Sequence, residues 1–214
     1  MKRRDFSLQI AAAGVGVAWA GTAAAQGAPV EGTHYTKLAQ PVAVSTPAGK
    51  IEVIEFFSYG CPHCFALEPT LEGWAKRLPP DVLFKRVPVG FNALYENYQK
   101  IYYALEAMDQ LEPMHRKVFN AIHQQRQRLD KEADIAAFMT ANGIDGAKFI
   151  EHYKSFSVQT KARQAQQLSQ AYKIDGVPSM AVQGRYVTSG SQAGSNERAL
   201  AVTDALVQTS RKPG

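Results

Sequence analysis

The 214-residue sequence holds only two cysteines, Cys61 and Cys64, both inside one four-residue motif. With no third thiol they can pair only with each other, so no wider disulfide framework is available. Zinc binding fails on a similar count. Two cysteines are half a site, and no pair among His34, His115, His123 and His152 stands at the usual ligand spacing. No apolar run reaches the roughly 20 residues of a membrane span. Low-complexity tracts and repeats of solenoid period are also missing. Charge of one sign is not concentrated: 24 Lys+Arg stand against 19 Asp+Glu. The basic residues are scattered among acids and amides, as in Lys161-Ala162-Arg163-Gln164. That is the pattern of solvated helix faces, and no nucleic-acid partner is expected.

What remains is an ordinary globular composition, 45% hydrophobic and 20% charged, of a length for one or two domains. Residues 1–25 read as a signal peptide. Lys2, Arg3 and Arg4 open it, Ile10 to Ala20 form an Ala/Gly-rich apolar stretch, and Ala23-Ala24-Ala25 offers small residues for cleavage. Arg3-Arg4-Asp5-Phe6 also resembles a twin-arginine signal, and either export route ends outside the cytoplasm. Cleavage after Ala25 would leave 21 Lys+Arg and 18 Asp+Glu, net +3.

After a Pro- and Gly-containing lead-in with a short strand expected at Val42 to Val44, Ile51 to Phe57 is β-branched and aromatic, hence a buried strand. Ser58-Tyr59-Gly60 turns the chain into a helix from Cys61 to about Arg77, with Pro62 in its first turn where a missing N–H costs nothing. A second strand follows from Val82 to Val89. Leu94, Tyr98, Ile101, Tyr102, Leu105 and Met108 then recur at helical spacing, as do Val118, Phe119 and Ile122. Asp130 and Asp145 are expected to cap two further helices, with Asn142-Gly143 between them as a stop. A long helix runs from about Ser157 to Lys173. Ser179 to Gln183 and Arg185 to Thr188 flank Gly184 like a hairpin, and a last helix spans about Asn196 to Val207. The order β-α-β, helical block, β-β-α indicates one α/β sheet with helices inserted midway.

Cys61-Pro62-His63-Cys64 follows an expected strand and opens an expected helix, the context that makes the motif a redox candidate. A helix N-terminus presents unpaired N–H groups and about half a positive charge, which favours thiolate over thiol at Cys61. A depressed thiol pKa makes Cys61 a good leaving group and its disulfide easily attacked. His63 can add charge or a hydrogen bond, and Cys64 lies one turn in. The competing reading is a structural disulfide, but a four-residue loop contributes only about 2 kcal/mol by chain entropy. Glu55 is an acid in an apolar strand. It is either a solvent-facing position or a buried carboxyl near Cys64 that relays a proton, its pKa raised by desolvation.

The run Glu55-Phe56-Phe57-Ser58-Tyr59-Gly60-Cys61-Pro62-His63-Cys64, together with Gly176-Val177-Pro178-Ser179-Met180, resembles the bacterial DsbA family of thiol:disulfide interchange proteins. The resemblance runs from Tyr35-Thr36-Lys37-Leu38 to the final helix. It implies a thioredoxin fold with an inserted all-helical domain: residues 26–91 and 174–214 thioredoxin-like, residues 92–173 helical. It implies that Cys61 is the nucleophile and Cys64 the resolving cysteine. It also implies that Pro62, Val177 and Pro178 face substrate across a cis Val177–Pro178 peptide, which frees neighbouring backbone groups for an extended chain. From the residues alone, Gly176-Val177-Pro178 is equally a plain loop. In the family Glu55 pairs with a lysine that aligns with Arg86, whose guanidinium cannot give up its proton; Lys85 is the nearby alternative.

The expectation is thus a periplasmic, monomeric disulfide oxidase with no cofactor. Its partners would be unfolded exported proteins with free thiols and a membrane quinone-linked reoxidant of the DsbB type. The alternatives are a reductase or isomerase of the same fold, and a non-enzymatic peptide-binding or chaperone module with a structural disulfide. The histidines other than His63, with Tyr98, Tyr102 and Tyr103, are assigned to helix faces and core, without chemistry.

Overall fold

A computed structural model describes residues 27–211. The expected signal peptide lies outside the described residues. The chain enters through strand β1 (Thr36–Lys37), then β2 (Ile51–Phe57), helix α1 (Pro62–Ala75) and β3 (Val82–Pro88). Five helices follow: α2 (Ala93–Ala107), α3 (Leu111–His123), α4 (Glu132–Ala141), α5 (Gly146–Lys154) and α6 (Phe156–Ala171). The chain returns through β4 (Ser179–Val182), β5 (Tyr186–Ser189), the single turn α7 (Gly190–Ala193) and α8 (Asn196–Arg211).

The five strands form one sheet in the order β1-β5-β4-β2-β3. β2 runs parallel to β3 and antiparallel to β4, and β4 and β5 make the hairpin anticipated around Gly184. This is a thioredoxin-like α/β fold with a helical insertion between β3 and β4. The central strand β2 is buried along its whole length, as its β-branched and aromatic run requires. Its side chains alternate between faces. Ile51 and Val53 join Leu67, Leu71 and Trp74 of α1 and Leu200 and Leu206 of α8. Ile54 and Phe56 face the cluster that holds Tyr172 and the inner residues of α2, α3 and α5. Among the described residues, no helix is long and apolar enough to cross a membrane.

Three local expectations are corrected. Val42 to Val44 is not a strand: Pro41 has no N–H to donate, and Val42 makes a single backbone bond, to Gly184 O. The strand of this region is β1, paired with β5 through Thr36↔Val187. Asp130 does not cap α4. Its carboxylate is taken by Arg128 at 3.0 Å and its carbonyl by Asn97, so the helix starts after Lys131 without a side-chain cap. The last helix continues to Arg211, whose guanidinium closes on Asp81 with two 2.8 Å hydrogen bonds. Asp145, by contrast, caps α5 as expected by accepting from Lys148 N–H.

Candidate active site

β2 ends against α1 through Ser58-Tyr59-Gly60, where Cys61 N–H donates to Ser58 O at 3.0 Å. Gly60 is required here by close approach. A Cβ at this position would lie 2.6 Å from the Tyr95 ring and 2.8 Å from that of Tyr98. Cys61 is the N-cap of α1, with Pro62 in the first turn, and its sulfur accepts the Cys64 N–H at 3.4 Å. The helix therefore begins with a sulfur where Ser, Thr or Asp usually stands. Opposite, Cys61 Sγ donates to Val177 O at 3.2 Å, beside the cis Val177–Pro178 peptide. Val177, 116 residues from Cys61 in the chain, and Pro178 after it are thus brought against it by β4.

The two thiols are held in opposite states. The hydrogen bond from the Cys64 side chain, with the Cys64 and His63 backbone N–H groups, outweighs burial and brings Cys61 down to about 6. The His63 charge acts in the same direction and is the smallest of these effects, because its side chain is exposed. Cys64 is fully buried. Burial first, then its bond to Cys61 and the charge of Glu55, push its thiol well above the ordinary range.

Glu55 lies at the centre of this arrangement, with no exposed surface. Parallel pairing sets it beside Arg86 in register, and Arg86 Nε donates to Glu55 Oε2 at 3.1 Å. The other side of the guanidinium reaches Glu68 of α1, Nη2 to Oε2 at 3.1 Å. Lys85, the alternative partner, points to the opposite face and pairs with Glu52 at 2.7 Å. Burial and the Glu68 charge outweigh Arg86 and raise Glu55 to about 8. Among the described residues, Glu55 Oε1 is the one buried side-chain polar atom without a hydrogen-bond partner.

Sequence reasoning missed three members of the site. Glu68 accepts from Arg86 and, at 3.2 Å, from His115 Nε2. Burial would raise Glu68, but His115 and Arg86 together hold it below its usual value. Tyr59 shares its hydroxyl with His115 Nδ1 at 2.8 Å, and its carbonyl accepts from His123 Nε2 at 2.7 Å. Helical spacing carried a signal: Glu68 stands one turn after Cys64, between Leu67 and Leu71, and His115 one position from Met114 and three from Val118. A charged or titratable residue on an apolar stripe marks a paired buried group.

Residues 83–198 match the family described as DSBA-like thioredoxin domain. The chain is 44% identical over 215 residues to the thiol:disulfide interchange protein DsbA of Bordetella pertussis, covering 99% of this chain and 100% of the relative. It is 39% identical over 180 residues to the protein of the same name from Pseudomonas aeruginosa, covering 84% and 85%. The crystal structure of Pseudomonas aeruginosa DsbA superposes with a TM-score of 0.80 at 39% identity, over 84% of this chain and 93% of that one. The oxidoreductase DsbA of Xylella fastidiosa gives 0.79 at 28% identity, over 86% and 98%. The chain belongs to the DsbA family of thioredoxin-fold thiol:disulfide oxidoreductases.

Proposed function

We propose that this chain is a periplasmic dithiol–disulfide oxidase, residues 1–25 being an export signal. In this reading residues 26–91 and 174–214 form the catalytic domain, and residues 92–173 cover it as a helical domain. The observation that carries the reading is the asymmetry of the two sulfurs, Cys61 low and Cys64 high. A thiolate favoured at Cys61 stabilises the dithiol product, and so makes the disulfide a strong oxidant.

A substrate thiolate attacks Cys61 Sγ, the Cys61–Cys64 bond breaks, and Cys64 leaves as a thiolate in a buried site. Glu55, raised to about 8 and holding a proton at neutral pH, protonates it in this reading. A second substrate thiolate then attacks the substrate sulfur of the mixed disulfide and expels Cys61 as a thiolate. The substrate gains the disulfide and the enzyme holds the dithiol. Pro62, Val177 and Pro178 line the approach to Cys61, where a substrate backbone would lie. A membrane quinone-linked partner of the DsbB type would restore the disulfide, and the oxidase would work as a monomer.

Equilibration with glutathione tests the proposal. A reduction potential at or above about −180 mV is expected for an oxidase. A value near the roughly −270 mV of thioredoxin would instead establish a reductase.

A further inference from the structure

His115 of α3 bridges two groups of the site from 56 and 47 positions further along the chain. Its Nδ1 faces the Tyr59 hydroxyl, two residues before Cys61, and its Nε2 faces Glu68 Oε1. A neutral ring satisfies both contacts: Tyr59 O–H donates to Nδ1 and Nε2–H donates to Glu68. From Glu68 the bonds continue through Arg86 to Glu55 Oε2, which leaves Glu55 Oε1 unpartnered among the described residues. His115 itself is buried, in edge-to-face contact with Phe57 and Phe119.

We propose that His115 is a positioning residue for the redox reaction: it commits Glu68 to Arg86 as a carboxylate, and so leaves Glu55 free to exchange a proton with Cys64. The inference rests on the acid–base role given to Glu55 above.

The physical argument is one of shared charge. Two buried carboxyl groups face a single guanidinium, and both cannot ionise at neutral pH without a further donor. The ring N–H of His115 supplies that donor to Glu68 alone. Glu68 therefore keeps the negative charge, and the proton of the pair resides on Glu55. Other groups facing Glu55 are Cys61 and Cys64 from the start of α1 and Tyr102 from α2. None of them can discriminate between the two carboxyl groups by donating to Glu68. Without His115, Glu68 would compete for the proton and Glu55 would spend more time ionised. It would then be a poorer acid for the departing Cys64 thiolate, which carries the same sign of charge.

The test is a site-specific titration of the reduced protein carrying ¹³C-carboxyl glutamate, with Glu55 assigned by its loss in Glu55→Gln. His115→Leu should lower the Glu55 midpoint by about one unit, a tenfold fall in proton affinity. His115→Gln, whose amide can still donate to Glu68, should return part of that shift. Tyr59→Phe, which removes the hydroxyl but leaves the His115–Glu68 bond, should leave the midpoint in place. Where His115→Leu does not fold, Glu68→Gln replaces it, because it removes the same carboxylate charge and must move Glu55 downward too. An unshifted Glu55 in folded His115→Leu or in Glu68→Gln overturns the proposal, as does an equal shift in Tyr59→Phe. The pH profile of disulfide reduction by a peptide thiol separates the two levels of argument. A profile unchanged by Glu55→Gln removes the role of Glu55 and this inference with it. A profile altered by Glu55→Gln but untouched by His115→Leu removes the inference alone.

Discussion

Glu55 of β2 and Arg86 of β3 sit at the same level of a parallel strand pair, and Arg86 Nε donates to Glu55 Oε2 at 3.1 Å inside the sheet. The same guanidinium holds Glu68, so one cation serves two carboxyl groups, 0% and 3% exposed. This places a charged cluster directly beneath the Cys61–Cys64 helix end.

Arg86→Leu should destabilise the protein by about 3 kcal/mol or more at pH 7, because it leaves a buried carboxylate without its cation. The loss should shrink in acid, where Glu68, deprived of its cation in the variant, takes up a proton as Glu55 has already done at pH 7. Denaturant unfolding of wild type and variant at pH 7 and pH 4 measures it. An equal loss at both values would mean that lost packing, and not charge, is responsible.

The two cysteines should separate by function. With Cys64→Ser, attack on a mixed disulfide from within is lost, so complexes with substrate should accumulate. With Cys61→Ser, the remaining thiol is buried and held neutral, and no complexes should form. Non-reducing gels after trapping decide the matter. Complexes through Cys64 would reverse the assignment.

His63→Ala should raise the Cys61 pKa only slightly, by less than about one unit. The backbone N–H groups at the helix start and the Cys64 side chain remain in place, and an exposed imidazole acts through water. The thiolate absorbance at 240 nm, followed against pH, reports the midpoint. A shift of two units or more would give His63 the leading role.

The reduced form should gain stability relative to the oxidised form as pH rises from 5 to 8. Cys61 has a folded pKa of about 6, below the unfolded value of roughly 8.5. A depressed pKa gives a contribution that is present above the unfolded value and is lost as pH falls through the folded one. The pKa difference corresponds to about 3 kcal/mol at full size, and closer to 2 once water at the helix end is allowed for. Above about pH 8.5 the gain ends, since unfolded Cys64 also ionises while folded Cys64 does not. The disulfide opposes this by only about 2 kcal/mol for so short a loop. The reduced form should therefore gain steadily on the oxidised form between pH 5 and pH 8. Paired unfolding curves at pH 5, 6.5 and 8 would show it, and a gap that ignores pH would contradict the low Cys61 pKa.

Local features of the sequence determined the central strand and the place of Cys61 at a helix start. A run of β-branched and aromatic residues from Ile51 to Phe57 makes a buried strand wherever it is placed. A cysteine just ahead of Pro62 becomes an N-cap because the next residues are helical and Pro suits the first turn. Asp145 caps α5 for equally local reasons. The partners of charged groups were not local. Whether Glu55 faced water or Cys64, and whether Arg86 or Lys85 answered it, depended on the β2–β3 register, which puts residues 55 and 86 on one face and 52 and 85 on the other. Asp130 lost its cap to Arg128, two residues before it, and to Asn97, which folding brings close from 33 positions away. His115 read as an ordinary helix residue because its role needs Tyr59 and Glu68, 56 and 47 positions away. Backbone geometry follows from neighbours in the chain, whereas the proton affinity of a buried group follows from neighbours in space, and only tertiary packing decides which those are.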